Sequence, residues 1–235
     1  MRQIEDIPAG EESDADVLRR LMRARYSCRA FRPDPVPEET IRRIVDTARW
    51  AASWSNVQPW DELIVTRPET TARLSAALLA EAEAHPEIAS DIPYPESYPA
   101  PNMARRREVG FGLYAALGIA REDRAARHAH HLKNFRFFGA PHVALLSVPR
   151  ALGPYGVLDI GAFVSSFLLA AQAEGVATVA QAALAQHARV IRAAFDLPED
   201  RDFVCGISFG YALPEDAANR FRSTRIEPEA LFRFA

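Results

Sequence analysis

The chain has 235 residues, 49% hydrophobic and 25% charged, enough apolar material for one large core in a single domain spanning 1–235. Lys and Arg number 28 against 31 Asp and Glu, a formal charge of −3, so no global basic field argues for nucleic acid and any electrostatic argument must rest on a local patch. Cys28 and Cys205 are the only cysteines, which excludes a disulfide framework and a Cys-x-x-Cys metal site and fits a reducing cytoplasm.

The first 13 residues are acidic and lack the apolar core of a signal peptide, so a flexible lead-in and a cytoplasmic location are expected. Helical spacing follows over about 14–26 and again over 38–52, where Pro37 and two glutamates suit a first turn. The run 62–66 reads as a strand, and helices are expected over about 69–84, 103–120 and 123–137. Between the first two of these helices, residues 85–102 hold five of the 17 prolines and cannot form a regular helix. This segment is a surface loop or a lid over a pocket, with Tyr94 and Tyr98 as stacking surfaces. Further strands are expected at 142–148 and 202–212, and further helices at 157–174 and 184–196. The apolar run 160–175 falls short of the roughly 20 residues that span a bilayer, so no membrane is expected and the run reads as a helix buried centrally or at a subunit interface. Helix exceeds strand, and the strands are too far apart for a β-α-β repeat, which indicates an α+β fold.

Three motifs invite function and are set aside. "GISFG", Gly206 to Gly210, has the form of a hydrolase nucleophile elbow, but the last histidine of the chain, His187, precedes it, so no downstream acid and histidine can complete a triad. A glycine-flanked buried strand is the better reading. "GFGLYA", Gly110 to Ala115, mimics a dinucleotide fingerprint without the preceding strand, and reads as small residues that let helices approach. "HAHH", with His128, His130 and His131, lacks a second ligand cluster and reads as solvated helix surface, with no metal.

The stretch "RARYSCRAF", Arg23 to Phe31, carries three arginines and no carboxylate. Read as the end of a helix, Arg25 and Arg29 are four apart and project the same way, with the Ser27 hydroxyl beside them. Two planar guanidinium groups suit a phosphate. Equally, cations at a helix C-terminus offset the macrodipole, and the residues alone leave both readings open.

A second stretch, "AASWSNVQPW" from Ala51 to Trp60, passes from a helix through a polar turn toward a strand. Together with "RYSCRAF" it resembles two signatures of the nitroreductase family of FMN-dependent oxidoreductases, in the expected order and separation. The resemblance continues through "NFRFFGAPHVALLSV", "GVATVAQAAL" and "NRFRSTRIEP", and so covers nearly the whole chain. It implies a nitroreductase-like α+β fold with a central, mixed but mainly antiparallel sheet flanked by helices. It further implies an intertwined homodimer with shared FMN sites and a C-terminal extension, 213–235, lying over the partner.

On that resemblance Arg25, Tyr26, Ser27 and Arg29 contact the FMN phosphate, ribityl chain and ring edge. Ala52, Ser53, Trp54 and Asn56 come from the partner chain. Gln181, Ala182 and Ala183 lie along the ring near N5, Arg222 and Arg225 hold the phosphate, and Asn134 and Arg136 are further contacts. NADPH or NADH is the implied donor and a small planar molecule (nitroaromatic, quinone or enone) the acceptor, in a ping-pong, two-electron reaction at the flavin with no catalytic side chain. A flavin storage or sensing protein and an oxygen-dependent flavin-modifying enzyme are the rival readings on the same scaffold. Two departures stand out: Ala182-Ala183 where many members have Glu-Gly, and Trp54 in place of a small residue beside the flavin.

Overall fold

The computed structural model describes residues 12–235, so most of the expected lead-in lies outside the described residues. Ser13 caps helix α1 (Asp14–Ala24), its hydroxyl accepting from the Asp16 amide. Helix α2 (Glu38–Ala48) follows Pro37, and a short strand β1 (Ile64–Val65) leads to α3 (Pro68–Ala84). Helices α4 (Ala100–Ala116) and α5 (Arg124–Leu132) precede strand β2 (His142–Pro149) and the long helix α6 (Gly153–Ala173). The chain then forms β3 (Ala177–Gln181), α7 (Ala188–Phe195), β4 (Arg201–Gly210) and a single turn, α8 (Ala217–Arg220).

The strands make one sheet in the order β1-β2-β4-β3, every named pair antiparallel. Its parallel element is a single bridge between Ser27 and Thr178 of β3. Strand β2 shows why its sequence is continuously apolar. Val143 and Leu145 enter one core cluster with α3 and α7, while Ala144, Leu146 and Val148 enter another with α2 and α6. The sheet is therefore the middle of three layers.

The glycines of "GISFG" fulfil the buried-strand reading. A Cβ on Gly206 would lie 2.5 Å from Leu184 Cδ1, and one on Gly210 would lie 2.7 Å from Pro141 Cδ. In "GFGLYA" the small residue that matters is Gly112, whose Cβ would sit 2.6 Å from the Phe221 ring.

Some expectations need correction. Helix α6 begins at Gly153, earlier than its sequence suggested, and with the preceding turn is long and apolar enough to cross a membrane by length and composition. Its packing gives the better criterion, because Ile160, Phe163, Phe167 and Ala170 face the sheet as a core helix does. His130 is buried rather than solvated, flanked by the rings of Tyr114 and Phe138, and burial pushes its pKa down. No metal-ligating group of side chains forms among the described residues.

Candidate functional site

The arginine stretch is not helical. Helix α1 ends at Ala24, and Arg25 already has extended backbone angles, φ −66° and ψ 141°. From there the chain runs along the edge of β3, with the Cys28 amide donating to the Thr178 carbonyl at 2.9 Å. Extended backbone alternates faces, so Arg25, Ser27 and Arg29 share one side while Cys28 enters the core. Spacing changes with it: at about 3.3 Å per residue the first and last of these residues lie roughly 13 Å apart, not the roughly 6 Å of one helical turn.

The C-terminal segment closes the same place. Arg25, Ser27, Arg29, Arg222 and Arg225 line one pocket of about 440 Å³. None of these four arginines is in an ion pair among the described residues, although surface arginines elsewhere in the chain pair readily with carboxylates. Burial lowers the pKa of Arg25, and the neighbouring positive charge of Arg225 adds to this; Arg29 is lowered by burial. Cations gathered without counter-charge constitute an anion site. The Arg222 guanidinium also lies 3.7 Å from the centre of the Tyr26 ring, a cation–π contact that fixes both groups at the pocket wall.

A residue to which the sequence reading gave no role holds this arrangement together. Asn219, 2% exposed, accepts from the Arg29 amide at 2.7 Å and donates to the carbonyls of Ala30 and Leu213, both at 2.8 Å. It joins the arginine strand to the tail that carries Arg222 and Arg225, across 190 positions of sequence.

Gln181 ends β3 with its side chain turned inward. Its amide nitrogen donates to the Asn134 carbonyl at 3.0 Å and to the Asn134 side-chain oxygen at 3.2 Å, and its Oε1 accepts from the Ser208 hydroxyl. That network fixes the backbone of 181–183 and makes Asn134 a support for it. Ala182 is exposed, and its carbonyl accepts a hydrogen bond from Tyr94 of the proline-rich loop. Tyr94 therefore acts here through its hydroxyl. Arg136 is exposed and lines neither this pocket nor the cavity described next.

Ala52, Ser53 and Trp54 line a separate, wider cavity of about 970 Å³ against the start of α6, and no residue lines both cavities. Asn56 sits in the adjoining turn. Ser55, Asn56 and Gln58 all have left-handed backbone, with φ of 47°, 58° and 47°. Part of the polar signature is occupied by the turn itself: Ser53 Oγ accepts from the Gln58 amide at 3.0 Å, and the Gln58 side chain donates to the Asn56 carbonyl at 3.3 Å. Trp54 is 62% exposed and leans on Tyr155, ring centres 5.0 Å apart. Trp60 stacks on Phe163 within the core, whereas Trp50 is 77% exposed, with the Arg49 guanidinium over its ring.

The pattern described as the nitroreductase family matches residues 22–211. The chain belongs to the nitroreductase family. This nitroreductase-family chain is 38% identical to the nitroreductase NfnB of Mycolicibacterium smegmatis over 231 residues, 97% of each sequence. It is 32% identical to a 4-nitrobenzoate reductase from a Nocardioides species, over 97% of this chain and 90% of that protein. Among solved structures, the FMN-dependent nitroreductase NfnB from Mycobacterium smegmatis in complex with NADPH superposes with a TM-score of 0.89, covering 94% of this chain and 99% of that one. The nitroreductase fold expected from the two signatures is thus the fold observed.

Proposed function

We propose that the chain is an FMN-dependent NAD(P)H oxidoreductase that reduces nitroaromatic or related planar acceptors, working in the cytoplasm as a homodimer. The observation that carries this reading is the carboxylate-free pocket in which Arg25, Ser27 and Arg29 of the first family signature meet Arg222 and Arg225. Its concentration of cations without carboxylates suits a molecule that carries a phosphate and an electron-rich ring edge.

FMN, when bound, supplies a two-electron carrier between nicotinamide and acceptor. The protein's part is to bind and orient. Arg25 and Arg225, with Arg222, would hold the phosphate; the Ser27 hydroxyl would meet the ribityl chain; Arg29 would place a cation at the ring edge. The buried Gln181–Asn134–Ser208 network would keep the backbone of 181–183 fixed alongside the ring. Ala182 and Ala183 carry no side chain long enough to crowd that face. Of the proline-rich segment 85–102, residues 100–102 open helix α4, and the remainder, 85–99, would act as a lid pinned there by Tyr94.

Ala52, Ser53 and Trp54 line a different cavity from the arginines, which supports the contribution of this turn to the site of a second subunit. Exposed Leu231, Phe232 and Phe234 at the C-terminus support an extension that lies over that subunit. To test the reading, the protein is reconstituted with FMN, sized in solution and supplied with NADPH or NADH and 4-nitrobenzoate. Stoichiometric FMN, a dimeric mass and loss of the nitro group at the expense of reduced nicotinamide are expected. Bound FMN without nucleotide oxidation would replace this reading by storage or sensing.

A further inference from the structure

Helix α6 holds a carboxylate that the account above leaves unused. Asp159 is 6% exposed, and no basic side chain pairs with it among the described residues. A buried carboxylate of this kind is unfavourable unless hydrogen-bonded, and an apolar side chain would fill the place at lower cost. Both of its oxygens accept from one donor, the backbone amide of Trp54, at 3.1 Å each. One turn earlier on the same helix, Tyr155 supports the Trp54 indole. The segment gripped in this way is the one with three left-handed residues, Ser55, Asn56 and Gln58, a conformation that persists only where its surroundings impose it. Besides the Asp159 contact, the side-chain restraints on the turn's backbone come from within the turn: Ser53 Oγ accepts from the Gln58 amide at 3.0 Å, and the Gln58 side chain donates to the Asn56 carbonyl at 3.3 Å.

We propose that Asp159 is a positioning residue: its carboxylate clamps the Trp54 amide and so sets the strained 53–58 turn in the geometry that the flavin site uses. The proposal rests on the functional reading above. Ser53, Trp54 and Asn56 then touch the flavin from a turn whose shape is dictated by α6, and Asp159, which also borders the cavity beside Ser53 and Trp54, acts through the Trp54 amide that takes up both of its oxygens. It follows that α6, the central helix of the core, also serves as the platform for the second signature.

The test uses Asp159→Leu, which keeps the branched shape in a larger side chain and removes the acceptor, and Asp159→Asn, which keeps an oxygen and removes the charge. In the FMN-free full chain, amide hydrogen exchange over 53–58 is expected to quicken in the leucine variant while the core strands keep their protection. Because the lost bond is charge-assisted, FMN dissociation constants should rise about tenfold in the leucine variant and about threefold in the asparagine variant. Unchanged exchange over 53–58, or FMN affinity within about twofold of wild type in both variants, would overturn the clamp. A lower melting temperature with unaltered affinity would assign Asp159 to stability alone and overturn it equally. If Asp159→Leu does not fold, the asparagine variant is decisive by the same two readouts. Wild-type protein that retains no FMN would defeat the functional reading instead, and the clamp with it as a flavin-positioning device; exchange would then report only whether the hydrogen bond exists.

Discussion

Replacing Arg29 by alanine probes the arginine pocket where its chemistry is most exposed to test. The guanidinium is partly buried, has no carboxylate partner among the described residues, and donates only to the Ser27 carbonyl at 3.2 Å. Its burial is unfavourable to the charge, which is why its pKa lies below the usual arginine range. In the FMN-free protein, therefore, alanine relieves a desolvated cation, and the stability lost should be small for a partly buried side chain. Ligand binding is affected in the opposite way. One charge-assisted hydrogen bond contributes about 1.5–3 kcal/mol, so the FMN dissociation constant should rise between about tenfold and a hundredfold. If about 1.4 kcal/mol of that loss falls on the reduced form alone, the two-electron potential drops by about 30 mV. Isothermal titration gives the affinity, a redox dye titration the potential, and thermal unfolding of the FMN-free variant the control. Full FMN affinity with an unchanged potential would refute the placement of Arg29 at the ring edge.

Asn219→Ala leaves the Arg29 amide and the Ala30 and Leu213 carbonyls without their partner, and should lower unfolding free energy by about 2–3 kcal/mol in urea. Gly210→Ala drives a methyl group against the rigid ring of Pro141, and should cost about 1–3 kcal/mol by the same measurement. His142 is held neutral: its Nε2 accepts from the Val36 amide at 3.0 Å, its Nδ1 faces the Thr66 carbonyl at 2.9 Å, and burial pushes its pKa down, as for His130 and His187. A depressed histidine pKa stabilises the fold above the unfolded value of 6.5, and that stability is lost as pH falls through the folded value. Urea midpoints should thus decline from pH 6.5 toward 5, before carboxylates titrate, and a flat profile would contradict the assignment. Tyr94→Phe removes only the hydroxyl that reaches Ala182, and should quicken hydrogen exchange over 92–99 with little change in melting temperature.

Much of the fold was legible because it follows from local pattern. Strand β2 is a nearly continuous apolar run, β4 is rich in β-branched and aromatic residues, and α2 and α3 carry acidic first turns. Strand β3, "ATVAQ", was missed as a strand, since alanine-rich composition carries a weak β signal and its identity comes from pairing with β4. The arginine stretch was misread as helical for a related reason. Arginine, leucine and methionine favour helices, but the Ser27–Thr178 bridge holds the backbone extended, and tertiary pairing overrides propensity. The error changed the distance between Arg25 and Arg29 but not the residues chosen. Asn219 and Asp159 could not be found from spacing, because each acts across more than 100 positions on a backbone amide. The buried state of His130 depends likewise on Tyr114 and Phe138, from elsewhere in the chain.

The most direct test of the central claim is spectroscopic. Protein loaded with FMN and freed of excess cofactor is mixed anaerobically with NADPH, then with NADH, while the flavin band near 450 nm is followed. Bleaching by either nucleotide, reversed on adding a nitroaromatic, is the predicted result. A protein that emerges colourless from the loading step, or whose bound flavin neither nucleotide bleaches, would contradict the account.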